Sequence, residues 1–598
     1  MHSHIRPNTH VALRLPSGIL KIVELKPNTN IFLGKFGTFN SNLLLGRPYY
    51  LTYELLDKDD GKAKTELRVV PAAELHAEAV GDGHAPPPAA EEVDESAEGA
   101  EGGAGFDIVG EDGEVIMRNN RLTVDDATRQ TLTMEEIEAL KKAGTGSGKD
   151  IIAKIMASHQ AISEKTAFSL AKYTLRKSRK FLRRFTALPL DVGRLAEHVL
   201  EKEAYRIMEL REESLGLICS WSNVHCGAKS RVLTAEDGIS QIGGGRWLVV
   251  DDTGGLVTAA LAEKMGLLYP TEESDETSSE EDEEAPQPTE NDAQPDTAMP
   301  DADGTPSDPT NRPRKPPRPH IPQMSAYTNT LTILHPNNQP NLALLKYYGY
   351  DIGQPSPTHP LYKHLKSLSW LSLLSPTDDP SYIEPEKLSE KELESMKSSK
   401  RGNYYKKRRR WEKTKRVVDE TKRGGFDGVV VATSMDVKGV MKELVPLVRG
   451  GGKVVVYHQN VEPLVELVDC YSKERRAAFI AREFGGEGKQ NGKRVIKEEE
   501  EEMNGDAEED EDFPVNPTLL LAPSLQTARA RQWQVLPERT HPMMTSKGGA
   551  EGYLFTATRV IPVEGRVEAR GHGTRKRRKT APEANATETS AVGTPAES

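Results

Sequence analysis

Between an apolar run at 247–250 and a helix-like stretch reaching 266 stand Asp251-Asp252-Thr253-Gly254-Gly255. A strand that passes through a short glycine-bearing turn straight into a helix is the first unit of a doubly wound sheet. Its turn is where such sheets receive a nucleotide-like ligand. Glycine is needed there because the backbone must approach the ligand and a side chain would occupy the ligand's space. Only Gly254 and Gly255 remain, and the branched aliphatic pair Leu256-Val257 follows at once. The loop reads as degenerate: a scaffold turn leading into an amphipathic helix, with no cofactor cradle.

Two other groups imitate chemistry. AGTGSGKD at 143–150 has the glycines and lysine of a phosphate loop, but a helix pattern precedes it where a strand is required. Asp150 also stands where a hydroxyl would bind magnesium, so the segment reads as a flexible connection between helices. Cys219 and Cys226 bracket His225, yet no second Cys/His pair lies near to complete four ligands, and no metal is expected. Three cysteines in all are too few for a disulfide framework and suit a reducing compartment.

The elements that would hold the degenerate loop can be read around it. Residues 331–351 give a strand and then a helix, a second unit of the same sheet. Its strand should end in an acid that accepts from ribose hydroxyls, but the sequence there is Leu334-His335-Pro336-Asn337. Residues 426–460 give a third unit: a strand at 429–431, a helix to about 448, a Gly450-Gly451-Gly452 turn, and a strand at 454–457. The three glycines are expected to cap that helix and turn the chain.

On these motifs the chain resembles the eukaryotic tRNA (adenine-N1-)methyltransferase family, and within it the non-catalytic subunit. The family methylates adenosine 58 of the T-loop. In its active subunits the strand matching 429–431 ends in an Asp-Leu-Pro-like motif whose acid holds the adenine. Here Val431-Ala432-Thr433-Ser434 stands in its place, with Ala432 near the acid position and Asp436 past the strand end. The C-terminal stretch 531–562 is similar to the family's last strands, departing from its glycine run at Ala550-Glu551. The resemblance implies no cofactor in this chain and S-adenosylmethionine in a catalytic partner. It also implies a heterotetramer of two such chains with two catalytic ones, and tRNA as the common ligand.

Where RNA would bind is suggested by charge. Over 164–185 the residues Phe168, Ala171, Leu175, Ser178, Leu182 and Phe185 recur at helical steps and form a buried face. From Lys172 to Arg184 there are seven bases and no acid, the footprint of a phosphate-binding surface. Lys172, Arg176, Lys177, Lys180, Arg183 and Arg184 are the candidates on this helix. A second run, Lys407, Arg408, Arg409, Arg410 and Lys413, is preceded by Tyr404 and Tyr405, aromatics able to stack on unpaired bases, in a polar insertion before the third unit.

The rest of the chain frames these parts as α/β plus β, a β-barrel-like domain followed by a degenerate Rossmann-like methyltransferase fold. Residues 1–130 alternate short β-rich runs with turn residues, around a loop at about 77–113 rich in Ala, Gly, Glu and Pro. Residues 131–200 form a helical connection, and 201–269 with 323–565 form the α/β domain. That domain is interrupted by an acidic and Pro-rich linker at 270–322, with nine acids in the fourteen residues 271–284, and by an acidic loop at 486–513. The tail 566–598 carries Arg575-Lys576-Arg577-Arg578-Lys579, a nuclear-targeting signal. The net charge of −12 is concentrated in the acidic runs, and no stretch of about 18 apolar residues calls for a membrane. Two other functions compete: an active methyltransferase using Asp251, Asp252 and Asp436, and a translation-initiation factor binding RNA without a methyltransferase partner.

Overall fold

The computed structural model describes residues 4–56, 66–75, 108–109, 115–117, 131–143, 148–159, 167–225, 245–269, 328–484, 512–536, 539–543 and 551–562. The linker at 270–322, the tail cluster 575–579, Cys226 and residues 144–147 of the glycine-rich connection lie outside them, as does nearly all of the acidic loop.

Near the N-terminus, five antiparallel strands pair in the order Leu20–Glu24, His10–Arg14, Arg184–Pro189, Thr52–Leu55 and Leu67–Val69. The central strand, Arg184–Pro189, comes from inside the stretch read as a helical connection, so the boundary at 130 divides a sheet that is continuous in space. The side chains explain why. Phe185 stacks on Phe39 with ring centroids 4.9 Å apart and on Tyr53 at 5.5 Å, filling a core with Val11 and Leu13. Ala12, on the opposite face of its strand, joins the core of the following domain, so the two domains share apolar packing. Barrel closure is not among the described pairings, where Leu20–Glu24 and Leu67–Val69 are the sheet's edges. At the end of the segment read as a loop, Ile108–Val109 pairs with Val115–Met117 just beyond it.

The basic stretch 164–185 divides. Its helix spans Ala167–Phe181, and the chain then enters the strand Arg184–Pro189. Leu182 and Phe185 fit the helical steps, but Phe185 is buried by strand alternation instead. The helix packs on Lys149–Ala157, where Ile151, Ile152 and Ile155 meet Phe181 and Leu182.

The second sheet has seven strands in the order Leu365–Ser369, Thr330–His335, Arg246–Asp251, Phe426–Ala432, Val448–His458, Tyr553–Arg559, Leu520–Gln526. The first five run parallel and Tyr553–Arg559 opposes its neighbours. Strand residues alternate between two cores. Trp247, Val249 and Val430 face Val192–Glu203, Glu212–Trp221 and Leu256–Lys264, whereas Leu248, Val250 and Val431 face Val437–Leu444 and Glu462–Cys470. This is the mixed α/β, Rossmann-like architecture that the units predict.

Three local expectations change. The helix Leu256–Lys264 is buried on every side from Leu256 to Ala262 and is not amphipathic, because helices and the turn Ala343–Tyr348 enclose it. The three glycines do not cap a helix; they lie inside the strand Val448–His458, where the pairing jumps from Phe426↔Val448 to Gly428↔Lys453. A Cβ on Gly452 would come within 3.0 Å of the Asp427 carbonyl oxygen, and Gly451 has φ +81°, so the glycines form a bulge that only small residues permit. Finally, Trp533–Leu536 and Arg539–Pro542 form a separate hairpin, leaving Leu520–Gln526 and Tyr553–Arg559 as the last strands of the sheet. No helix among the described residues is long and apolar enough to cross a membrane.

Candidate nucleic-acid interface

Strand order reverses on either side of Arg246–Asp251, and the crevice beyond the carboxyl ends of such strands is the usual ligand site of the fold. Here protein fills it. Asp251 spends both oxygens internally. One accepts from Thr253 N at 2.9 Å and Thr253 Oγ1 at 2.5 Å; the other accepts from Thr258 N at 2.8 Å and Thr258 Oγ1 at 2.6 Å. Asp252 accepts from Thr433 Oγ1 at 2.5 Å and from Ser434 N at 3.2 Å, tying the two central loops together.

Gly254 and Gly255 keep the left-handed conformation, φ +70° and +93°, but they face leucine. The Leu344 amide donates to the Gly254 carbonyl oxygen at 3.0 Å, and a Cβ on Gly255 would lie 3.0 Å from Leu342 Cα. At the end of the neighbouring strand His335 is buried, with Nδ1 2.5 Å from the Asn337 carbonyl oxygen, and burial pushes its pKa below the ordinary histidine value. Ala432 and Thr433 are fully buried. Asp436 caps Val437–Leu444, accepting from Gly439 N at 2.8 Å and Lys438 N at 3.4 Å. Each acid that an active enzyme would have to recruit already serves a turn or a cap.

Among the described residues no three His, Cys, Asp or Glu side chains gather as a metal site. Cys219 is half-buried, and burial pushes its thiol up to about 12.

The first basic surface lies on Ala167–Phe181. Arg176, Arg179 and Lys180 are exposed, and Lys172, Lys177 and Arg183 are half-buried. Lys177 holds its ammonium 4.8 Å from the Tyr173 ring centroid; burial, then the charges of Lys180 and Arg176, lower its pKa. Arg184 must be removed from this surface. It is buried, donates to Glu54 at 3.0 Å and Glu74 at 2.8 Å, and has no face to offer a phosphate. Glu54 and Glu74 also bind Arg68, at 2.6 and 3.0 Å, and Glu74 takes Lys149 as well. Sequence reasoning missed this cluster, because its members are scattered along the chain and Lys149 sits in an apparent decoy motif.

The second run lies in a single 25-residue helix, Ser398–Lys422, that forms the polar insertion before the third unit. Its last turns bury Val417, Val418 and Thr421 beside the edge strand Leu365–Ser369. Lys366 Nζ reaches Glu420 at 2.6 Å, Tyr382 OH donates to Asp419 at 3.0 Å, and Trp411 Nε1 donates to the Tyr382 carbonyl oxygen at 2.8 Å. Lys407, Arg409, Arg410 and Lys413 are exposed, Lys413 lying 5.7 Å from the Tyr362 ring centroid. Arg408 is half-buried, bridging Glu412 at 3.3 Å and Tyr404 OH at 3.4 Å. Tyr404 is thereby committed, whereas Tyr405 stays 45% exposed and open to stacking.

A family model described as the Gcd10p family matches residues 4–397. The chain belongs to the Gcd10p family. The match takes in the N-terminal sheet, the Gly254-Gly255 side of the crevice and the first basic helix of this Gcd10p-family chain, and it stops one residue before the second helix begins at Ser398. Two relatives, from Aspergillus oryzae and Aspergillus fumigatus, are each 47% identical over 97% of this chain and 96% of their own length. A third, from Debaryomyces hansenii, is 28% identical over 97% of this chain and 91% of its own. All three are named as the non-catalytic subunit of tRNA (adenine(58)-N(1))-methyltransferase. A solved structure of a tRNA (m1A58) methyltransferase from Aquifex aeolicus covers 94% of this chain and 100% of its own, at 7% identity and a TM-score of 0.34. The fold is therefore read from the strand order itself.

Proposed function

We propose that this Gcd10p-family chain is the non-catalytic, tRNA-holding subunit of a tRNA (adenine(58)-N(1))-methyltransferase. It assembles two-plus-two with a catalytic subunit in the nucleus, and the S-adenosylmethionine belongs to that partner. The observation that carries the reading is the crevice. Leu342 and Leu344 pack on Gly254-Gly255, and a buried His335, hydrogen-bonded to the Asn337 carbonyl oxygen, stands where a ribose-binding acid is needed. The residues present do not fit the cofactor. The chain keeps the architecture and uses its outside: Arg176, Arg179 and Lys180 on one helix, and Lys407, Arg409, Arg410 and Lys413 on the other, present cations to a phosphate backbone. Nuclear entry is assigned to Arg575-Lys576-Arg577-Arg578-Lys579.

The test is calorimetric titration of the isolated chain with S-adenosylmethionine, together with methyl transfer to unmodified tRNA by the chain alone and after co-expression with a catalytic subunit. The expected result is no heat and no transfer alone, and transfer in the complex. Binding and turnover by the isolated chain would overturn the proposal. The mass of the complex tests its stoichiometry.

A further inference from the structure

The first basic helix does not stand alone. It packs on Lys149–Ala157, and the Glu74 carboxylate links this pair to the N-terminal sheet. Glu74 accepts from Arg68 at 3.0 Å, Arg184 at 2.8 Å, and Lys149, the first residue of its helix. Arg68 and Arg184 are held in turn by Glu54, which is 1% exposed, at 2.6 and 3.0 Å. The same end of the pair is also closed by backbone. Gly148 has φ +85°, and a Cβ there would run into the Phe181 carbonyl oxygen. The start of the first helix is thus pressed against the end of the second, just where the chain passes into the central strand Arg184–Pro189.

We infer that Glu74 is a positioning residue for RNA: by gathering Lys149, Arg68 and Arg184 it fixes the helix pair on the N-terminal sheet and so sets where Arg176 and Lys180 meet phosphate. The inference rests on the proposed reading that this helix contacts tRNA. A helix cation positioned by a scaffold neutralises a particular phosphate, whereas the same cation on a loosened helix does so only part of the time, and affinity falls without any basic residue being removed.

This gives an experiment whose sign separates positioning from simple charge. Glu74→Gln removes a negative charge, so attraction alone makes tRNA binding equal or tighter. Positioning makes it weaker, by about tenfold. It also flattens the dependence of log affinity on log salt by about 0.7–0.9 for each phosphate that is no longer neutralised. The measurements are made on the full chain in complex with its catalytic subunit, beside Glu74→Asp and the direct double variant Arg176→Gln/Lys180→Gln.

Weaker binding and a shallower salt slope in E74Q, partly restored in E74D, support the inference. Unchanged or tighter binding in E74Q with weaker binding in the double variant overturns it and leaves the proposed function standing. An unchanged double variant removes the helix from the interface and the inference with it. If E74Q does not assemble, Lys149→Met decides, since it leaves the Glu54–Arg184 pair intact: a drop in slope larger than that of one charge supports positioning, and a drop of one charge or less refutes it.

Discussion

Gly255 and Leu342 meet across the crevice so closely that a Cβ on the glycine would lie 3.0 Å from the leucine Cα. With φ +93° the glycine is also in a conformation that other residues adopt at a cost. Gly255→Ala should therefore destabilise the complex by about 1–3 kcal/mol, read as a lowered thermal midpoint. Opening the space from the other side, with Leu342→Gly and Leu344→Gly together, should not confer S-adenosylmethionine binding, because His335 still supplies no ribose acceptor. A calorimetric titration of that variant checks the second half.

Asp251 accepts four hydrogen bonds from Thr253 and Thr258, all buried. Truncating it strands those donors, and Asp251→Ala is expected to cost about 3 kcal/mol or more in a denaturant titration of the chain. Methyl transfer by complexes that do assemble should keep its pH profile. A changed profile would return this acid to the chemistry.

Two arginines eight positions apart, Arg176 and Arg184, should separate cleanly. Arg184→Ala leaves the buried Glu54 with Arg68 alone and strips one cation from Glu74, and is expected to destabilise by about 3 kcal/mol, seen as loss of soluble complex or a large drop in midpoint. Arg176→Glu with Lys180→Glu should leave the midpoint within about 0.5 kcal/mol of wild type while weakening tRNA binding. The opposite pattern would place the phosphate contacts on the wrong side of residue 181.

Acid should weaken the fold in two windows. His198, whose Nδ1 donates to the Leu20 carbonyl oxygen at 2.9 Å, is lowered below 6.5 by burial. The unfolded chain takes up that proton first, so this contribution is complete above 6.5 and declines as pH falls below it. Glu74 is depressed from 4.5 to about 2, chiefly by Lys149. Its contribution is complete above 4.5 and is lost as pH falls towards 2. Denaturant midpoints from pH 8 to pH 3 should show both declines, and E74Q should flatten the lower one.

Adjacent tyrosines give the last contrast. Tyr405→Ala should weaken tRNA binding by about 1–3 kcal/mol if a base stacks there. Tyr404, which accepts from Arg408 and from the Leu388 amide, should affect helix stability more than affinity. Gel-shift titrations beside thermal midpoints distinguish the two, and equal effects at both positions would remove stacking from the second helix.

Local properties were legible in the chain itself. The apolar run into Asp251-Asp252-Thr253-Gly254-Gly255, the two later strand units and the two basic runs each lie within a few turns of chain. The losses at His335 and Ala432 are matters of residue type at a strand end. Periodicity and composition capture such features directly. Long-range pairing they do not capture. The helical steps through Leu182 and Phe185 were consistent with one continuous helix, and only the packing of Phe185 against Phe39 and Tyr53 made the end of that stretch a strand. Gly450-Gly451-Gly452 carried the composition of a turn, and only the neighbouring strand made it a bulge.

The sequence by itself determined that a Rossmann-like sheet is present and which residue types stand at its strand ends, because both are set by residue type and short-range pattern. Only the tertiary structure decided that Leu342 and Leu344 pack against Gly254-Gly255, that Arg184 belongs to Glu54 and Glu74, and that Lys149 bonds Glu74. Each of those depends on which distant segments bury one another, and a charge or a leucine has no fixed role until its neighbours are in place.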